Sequence, residues 1–221
     1  MFRGENALAK LGLDGGWDKL ILWMPTFRQS GFLGVSDAAK TEGTGLPILS
    51  RKEDMERVNE LLREKNALLL AKIHPTQDLD SIDLTAYSNI RVVTNGQMQE
   101  SQCDLYALLG QADGLITDYS SVYFDYLLLN RPIGFTVDDM EEYMKNRGFV
   151  VDDPRPLMPG QFLNTPEDFC GFLSDLLEGR DPYGEERLRV KELTNKYDDG
   201  KDALRALAIA GITFEEKEGS K

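Results

Sequence analysis

The sequence predicts an α/β fold, a doubly wound parallel sheet, and three observations carry that prediction. Apolar runs of four to seven residues alternate with helical stretches of ten or more, the order that places helices on both faces of a parallel sheet. The runs are apolar at successive positions rather than at every second one, as in strands buried on both faces. No internal repeat or linker divides the 221 residues, a length that suits one large domain. The expected domain covers residues 1–214, and the charged residues 215–221 form a frayed tail.

The elements follow in order. Leu20 to Met24 is a strand that Pro25 ends. Arg28 to Leu49, with Gly31, Gly34, Gly43, Gly45 and Pro47 and no sustained period, is a long loop, and loops of that length are usually functional or mobile. Ser50 with Glu53 three residues on predicts a capping box. It opens a helix with Met55, Val58, Leu61 and Leu62 on one face that ends near Asn66. Ala67 to Ile73 is the next strand and Ile90 to Val93 a shorter one. Ser101 to Gln111 is a helix with Leu105, Leu108 and Leu109 inward, and Gly114 to Thr117 a strand. A helix from Val122 to Leu129 stops at Asn130-Arg131-Pro132, and Ile133 to Thr136 is another strand. An acidic, irregular stretch with Pro154, Pro156 and Pro159 precedes three helices that start near Pro166, Glu185 and Gly200.

Composition narrows the function classes. With 25 Lys and Arg against 38 Asp and Glu, the net charge is −13. Clustered cations are the source of phosphate-backbone affinity, so no nucleic-acid partner is expected. An anionic membrane surface is disfavoured for the same reason. Cys103 and Cys170 sit in apolar stretches without CxxC or Cys/His spacing, so neither a disulfide framework nor a zinc site is indicated, and a reducing, cytoplasmic setting fits. Arg3, Glu5, Lys10 and Asp14 precede any apolar run, which argues against a signal peptide. The densest apolar runs, five residues each, fall far short of a bilayer span.

In doubly wound folds ligands bind beyond the carboxyl ends of the strands. That rule selects Pro25-Thr26-Phe27-Arg28, His74-Pro75-Thr76 and Asp118-Tyr119-Ser120-Ser121, all on one rim. Ser120 and Ser121 stand where a helix begins, so free backbone N–H groups, the positive end of the helix dipole and two hydroxyls converge in an arrangement suited to phosphate. The plainer reading makes Ser120 an N-cap. Asp118 either accepts from a ligand hydroxyl or orders the turn. His74, the chain's one histidine, either meets a phosphate and exchanges a proton or is structural. Arg28 offers a planar fork for phosphate or makes a surface ion pair. No GxGxxG, GxxxxGK[ST] or GxSxG is present, which leaves a dinucleotide fingerprint, a P-loop and a hydrolase elbow unsupported. The pairs Asp138-Asp139, Asp152-Asp153 and Asp198-Asp199 read as solvated loops before cation ligands.

Five strings, Ile21-Leu-Trp-Met-Pro-Thr-Phe-Arg28, Lys72-Ile-His-Pro75, Ala112-Asp-Gly-Leu-Ile-Thr-Asp-Tyr-Ser-Ser-Val-Tyr-Phe-Asp125, Arg131-Pro132 and Arg147-Gly-Phe149, resemble the CDP-glycerol glycerophosphotransferase family, the teichoic-acid and capsule polymerases of bacteria. The specific part is Ile116 to Asp125, and the resemblance runs from about Leu20 to Ala210. It implies a Rossmann-like lobe similar to the C-terminal half of a glycosyltransferase-B fold that binds CDP-glycerol or a related cytidine diphosphate. His74 would contact the donor pyrophosphate and act in catalysis, Ser120 and Ser121 would hold the phosphates, and Arg28 and Asp118 would line the cleft.

The implied reaction is attack of an acceptor hydroxyl on the glycerol-bearing phosphorus, with release of CMP. It calls for no metal or other cofactor. The implied enzyme is cytoplasmic, peripheral on the inner membrane face at full length, and its lipid-linked polyol-phosphate acceptor would be bound by an N-terminal lobe carrying a second histidine. Only about 20 residues precede the first strand here, so the chain is expected to be a fragment or to have a separate protein as its other half. Two readings compete. One is the donor lobe of a nucleotide-sugar glycosyltransferase, against which the lack of an ExG-like ribose motif counts, and the other is a non-catalytic nucleotide-binding domain.

Overall fold

A computed structural model describes residues 2, 6–25, 29–30, 35–36, 46–73 and 85–212. Six strands, β1 (Lys19–Met24), β4 (Ala67–Lys72), β5 (Ile90–Val93), β6 (Gly114–Thr117), β7 (Ile133–Thr136) and β8 (Gln161–Leu163), form one sheet in the order β5-β4-β1-β6-β7-β8. Every pairing in it is parallel. A separate antiparallel ribbon joins β2 (Gln29–Ser30) to β3 (Val35–Ser36). The α/β, parallel, two-faced architecture expected of the sequence is present. The sheet grows outward from β1 in one direction through β4 and β5. It then returns to the other side of β1 with β6 and continues to β7 and β8. The strand order therefore reverses between β1 and β6, and the crevice above that point is where such sheets take ligands.

Alternation within each strand sorts the side chains between two cores. Leu20 and Leu22 of β1, Leu68 and Leu70 of β4 and Leu115 of β6 face one side. There they meet Met98 of α3 (Asn95–Glu100), Ala107, Leu108 and Leu109 of α4 (Leu105–Gln111), and Tyr123 and Tyr126 of α5 (Val122–Tyr126). Ile21 and Trp23, Ala67, Leu69 and Ala71, and Ile116 face the other. Their partners are Met55, Val58 and Leu62 of α2 (Lys52–Glu64) and Phe169, Phe172 and Leu173 of α7 (Pro166–Leu177). Both faces are dry, which is why these strands carry apolar residues at successive positions. Trp23 and Phe169 meet with ring centroids 5.0 Å apart.

The remaining helices are α1 (Ala7–Lys10), α6 (Met140–Asn146), α8 (Gly184–Thr194) and α9 (Asp202–Ile209). None among the described residues is long and apolar enough to cross a membrane.

Several boundaries differ from the sequence reading. The N-cap of α2 is Arg51, without a side-chain cap bond. Its guanidinium instead reaches the buried Asp54, 2.9 Å from Nε to Oδ2, so the Ser50 box is not formed. The helix expected over Ser101 to Gln111 begins later, as α4, capped by Asp104, and a helix that was not expected, α3, precedes it, opened by the capping box of Thr94 and Gln97. Gln102, at φ 52°, turns the chain between them. The irregular acidic stretch contains α6 and β8. Residues 213–221, including the tail, and most of the long loop lie outside the described residues.

Candidate functional site at the carboxyl ends of the strands

Threonines tie three strand ends together. Thr117 Oγ1 donates to the Met24 carbonyl at 3.0 Å, and Thr136 Oγ1 to the Thr117 carbonyl at 3.2 Å. The ends of β1, β6 and β7 are thus fixed relative to one another beside the crevice.

Asp118 follows β6 directly and is fully buried. Tyr119 is half-buried; its phenol donates to Asp139 Oδ1 at 2.7 Å. Its ring lies 4.1 Å from that of Tyr143 and 5.4 Å from that of Phe149, centroid to centroid. Tyr143 is on α6, so this contact brings a helix with no buried residue of its own against the rim.

Ser120 is half-buried and Ser121 exposed. The N-cap of α5 is Ser121 rather than Ser120, and it makes no side-chain cap bond. Its backbone, at φ −64° and ψ −9°, is already helical, whereas a capping side chain needs the extended backbone that turns its oxygen onto the N2 or N3 amide. Neither serine hydroxyl is engaged by another described residue. The plainer reading, a spent cap, does not hold, and both hydroxyls remain available beside the first amides of α5.

Two buried tyrosines keep α5 in place. Tyr126 Oη donates to the Ala112 carbonyl at 2.8 Å, and Tyr123 meets Phe135 of β7 edge to face. Burial pushes both phenols well above the ordinary tyrosine range, so they remain neutral donors. Asp125, the last residue of the most specific string, accepts from Tyr106 Oη at 2.9 Å, and that bond raises the phenol's pKa.

Arg28 and His74 lie outside the described residues. The strands that lead to them end side by side, with Trp23 of β1 level with Ala71 of β4. One residue on this rim was passed over in the sequence. Lys72, the last of β4, is half-buried and donates to Asn95 Oδ1 at 2.8 Å, and burial lowers its pKa. Only its place in the Lys72-Ile-His-Pro75 string hinted at it.

Each acidic pair has a member engaged with a protein partner. Asp139 accepts from Tyr119, Asp153 binds Arg155, and Asp199 binds Arg205. Among the described residues no group of three His, Cys, Asp or Glu is placed to hold a metal ion. Cys103 and Cys170 are buried free thiols, and burial raises the pKa of each.

The family model described as CDP-Glycerol:Poly(glycerophosphate) glycerophosphotransferase matches residues 3–209. The teichoic acid glycerol-phosphate primase of Bacillus subtilis (strain 168) is 31% identical over 191 residues, which is 86% of this chain and 42% of that protein. A teichoic acid poly(glycerol phosphate) polymerase of Bacillus spizizenii is 35% identical over 151 residues, 67% of this chain and 34% of that one. The solved structure of the wall teichoic acid polymerase TagF superposes with a TM-score of 0.66 at 25% identity, covering 93% of this chain and 46% of that chain. The chain thus spans less than half the length of these relatives.

Proposed function

Because the chain belongs to the CDP-glycerol:poly(glycerophosphate) glycerophosphotransferase family, we propose that it is the donor-binding lobe of such a transferase. It holds CDP-glycerol or a related cytidine diphosphate polyol over the crevice between β1 and β6. The observation that carries the reading is the pair of uncommitted hydroxyls on Ser120 and Ser121, directly after β6 and beside the amides that open α5. Phosphate oxygens accept from hydroxyls and amides alike, and the helix start adds positive potential.

The reaction in this reading transfers a polyol phosphate to a teichoic-acid-type acceptor. The acceptor hydroxyl oxygen forms a bond to the polyol-bearing phosphorus, the anhydride bond to CMP breaks, CMP leaves with the electron pair, and the hydroxyl proton passes to a base. Catalysis of this kind rests on positioning and on stabilising charge at the equatorial oxygens. Ser120 and Ser121 hold the phosphates, Asp118 and Arg28 line the cleft, and the resemblance assigns His74 to the pyrophosphate. The lipid-linked acceptor is bound by a second lobe, and the assembled enzyme works at the inner face of the membrane.

Calorimetry with CDP-glycerol, CDP-ribitol, CMP and UDP-glucose tests the reading. Cytidine diphosphates are expected to bind and UDP-glucose to bind at least tenfold more weakly, about 1.4 kcal/mol. Equal affinity for UDP-glucose would overturn it in favour of a nucleotide-sugar lobe.

A further inference from the structure

The serine site supplies hydroxyl and amide donors but no full positive charge, while the diphosphate it is proposed to hold is a multiple anion. Among the described residues that end the six sheet strands or follow within three positions, the only cation is Lys72; the charged side chains otherwise found there are Asp118, Asp138 and Asp139. We propose that Lys72 is a further contact of this site, an ammonium that neutralises the diphosphate held at Ser120 and Ser121. The inference rests on the donor-lobe reading above.

Three observations support it. First, Lys72 continues the series Leu68, Leu70 along β4. Those leucines face the core that receives Tyr123 and Tyr126 of α5, so Lys72 and the helix opened by Ser121 share one face of the sheet. Second, β4 and β6 flank β1 on either side, about 10 Å apart at the usual strand spacing. A flexible lysine stem and a diphosphate together span that gap. Third, the ammonium carries three donors, and among the described residues its one hydrogen bond is to the neutral amide oxygen of Asn95. No carboxylate among the described residues pairs with it, although acidic side chains outnumber basic ones by 13 in the chain. Its half-burial, which lowers its pKa, is an expense that a bound anion would offset.

The alternative is that Lys72 only fastens the end of β4 to the start of α3 through Asn95. Lys72→Gln separates the two, because the amide can keep a hydrogen bond to Asn95 while the charge is lost. Titration calorimetry of the chain with CDP-glycerol, CMP and cytidine is the readout, with thermal unfolding to establish that each variant is folded and Lys72→Met as a second charge-removing variant. The expected result is a loss of about tenfold or more for CDP-glycerol, a smaller loss for CMP and no change for cytidine, with Lys72→Arg restoring most of the affinity. Unchanged CDP-glycerol affinity in a folded variant, or an equal loss for all three ligands, would overturn the assignment and leave the donor-lobe reading standing. If the unsubstituted chain binds none of the three, the donor-lobe reading itself fails and takes this assignment with it.

Discussion

At Ser121 a hydroxyl stands at a helix start without capping it, and this separates binding from stability more cleanly than sequence could. Replacing a capping serine by alanine ordinarily costs about 1 kcal/mol. The cap bond is absent here, so Ser120→Ala/Ser121→Ala should change the unfolding free energy by less than about 0.5 kcal/mol. CMP affinity should fall about tenfold as phosphate loses two donors. Chemical denaturation and calorimetry on one preparation check both halves. The serine segment was legible in the sequence because the rule about strand ends points to it, but its two readings were not separable there. The sequence pattern does not reveal whether the backbone before a helix is extended or already helical, and that dihedral decides. Lys72 was illegible for a different reason: a lysine closing an apolar run looks like an ordinary strand terminus until its partner among the described residues is known to be an amide and not an acid.

At the scale of elements, the strands were legible where both faces are buried, since Leu20 to Met24 and Ala67 to Ala71 must then be apolar at successive positions. β8 escaped because it is three residues at the sheet edge with Gln161 and Phe162 only partly buried, so neither continuity nor alternation marks it. α6 escaped because its apolar residues, Met140, Tyr143 and Met144, span only seven residues, none of them fully buried, inside a run of acidic ones. α3 escaped because its six residues bury only Met98, although Thr94-x-x-Gln97 marks its start, and α4 was read from Ser101 rather than from its Asp104 cap.

Two glycines give the packing a measurable test. Gly114 opens β6, and a Cβ there would overlap Leu176 Cδ1 of α7. Gly114→Ala should destabilise the fold by about 1–3 kcal/mol, because Leu176 is itself buried and has little room to yield. Gly96, in the first turn of α3, has its nearest neighbour at 3.8 Å, so Gly96→Ala should stabilise by about 0.4–1 kcal/mol through the unfolded chain. Urea titrations of both variants decide it, and a neutral Gly114→Ala would mean that α7 packs more loosely on β6 than these contacts state.

For the molecule as a whole, the relatives' remaining length has no counterpart in these 221 residues. In the proposed enzyme that remainder positions the acceptor, and positioning accounts for about 7–11 kcal/mol of a barrier. The chain by itself should bind donor yet form almost no polymer when incubated with radiolabelled CDP-glycerol and a lipid-linked acceptor. Robust polymer would show the site to be complete without a second lobe. The central place of β1 also sets a timetable. It is made before the other strands of its sheet, and its partners lie far ahead: Lys19 is level with Ala67, and Ile21 with Gly114, 93 positions on. At about 5–20 residues per second, translation needs roughly 5 to 20 s to cover that distance. Throughout that interval Leu20-Ile-Leu-Trp23 has at least one bare edge, open to pairing with a neighbouring nascent chain. The strand on which the crevice is built is therefore the segment most in need of chaperone shelter, and a chain whose synthesis stops before Gly114 should aggregate.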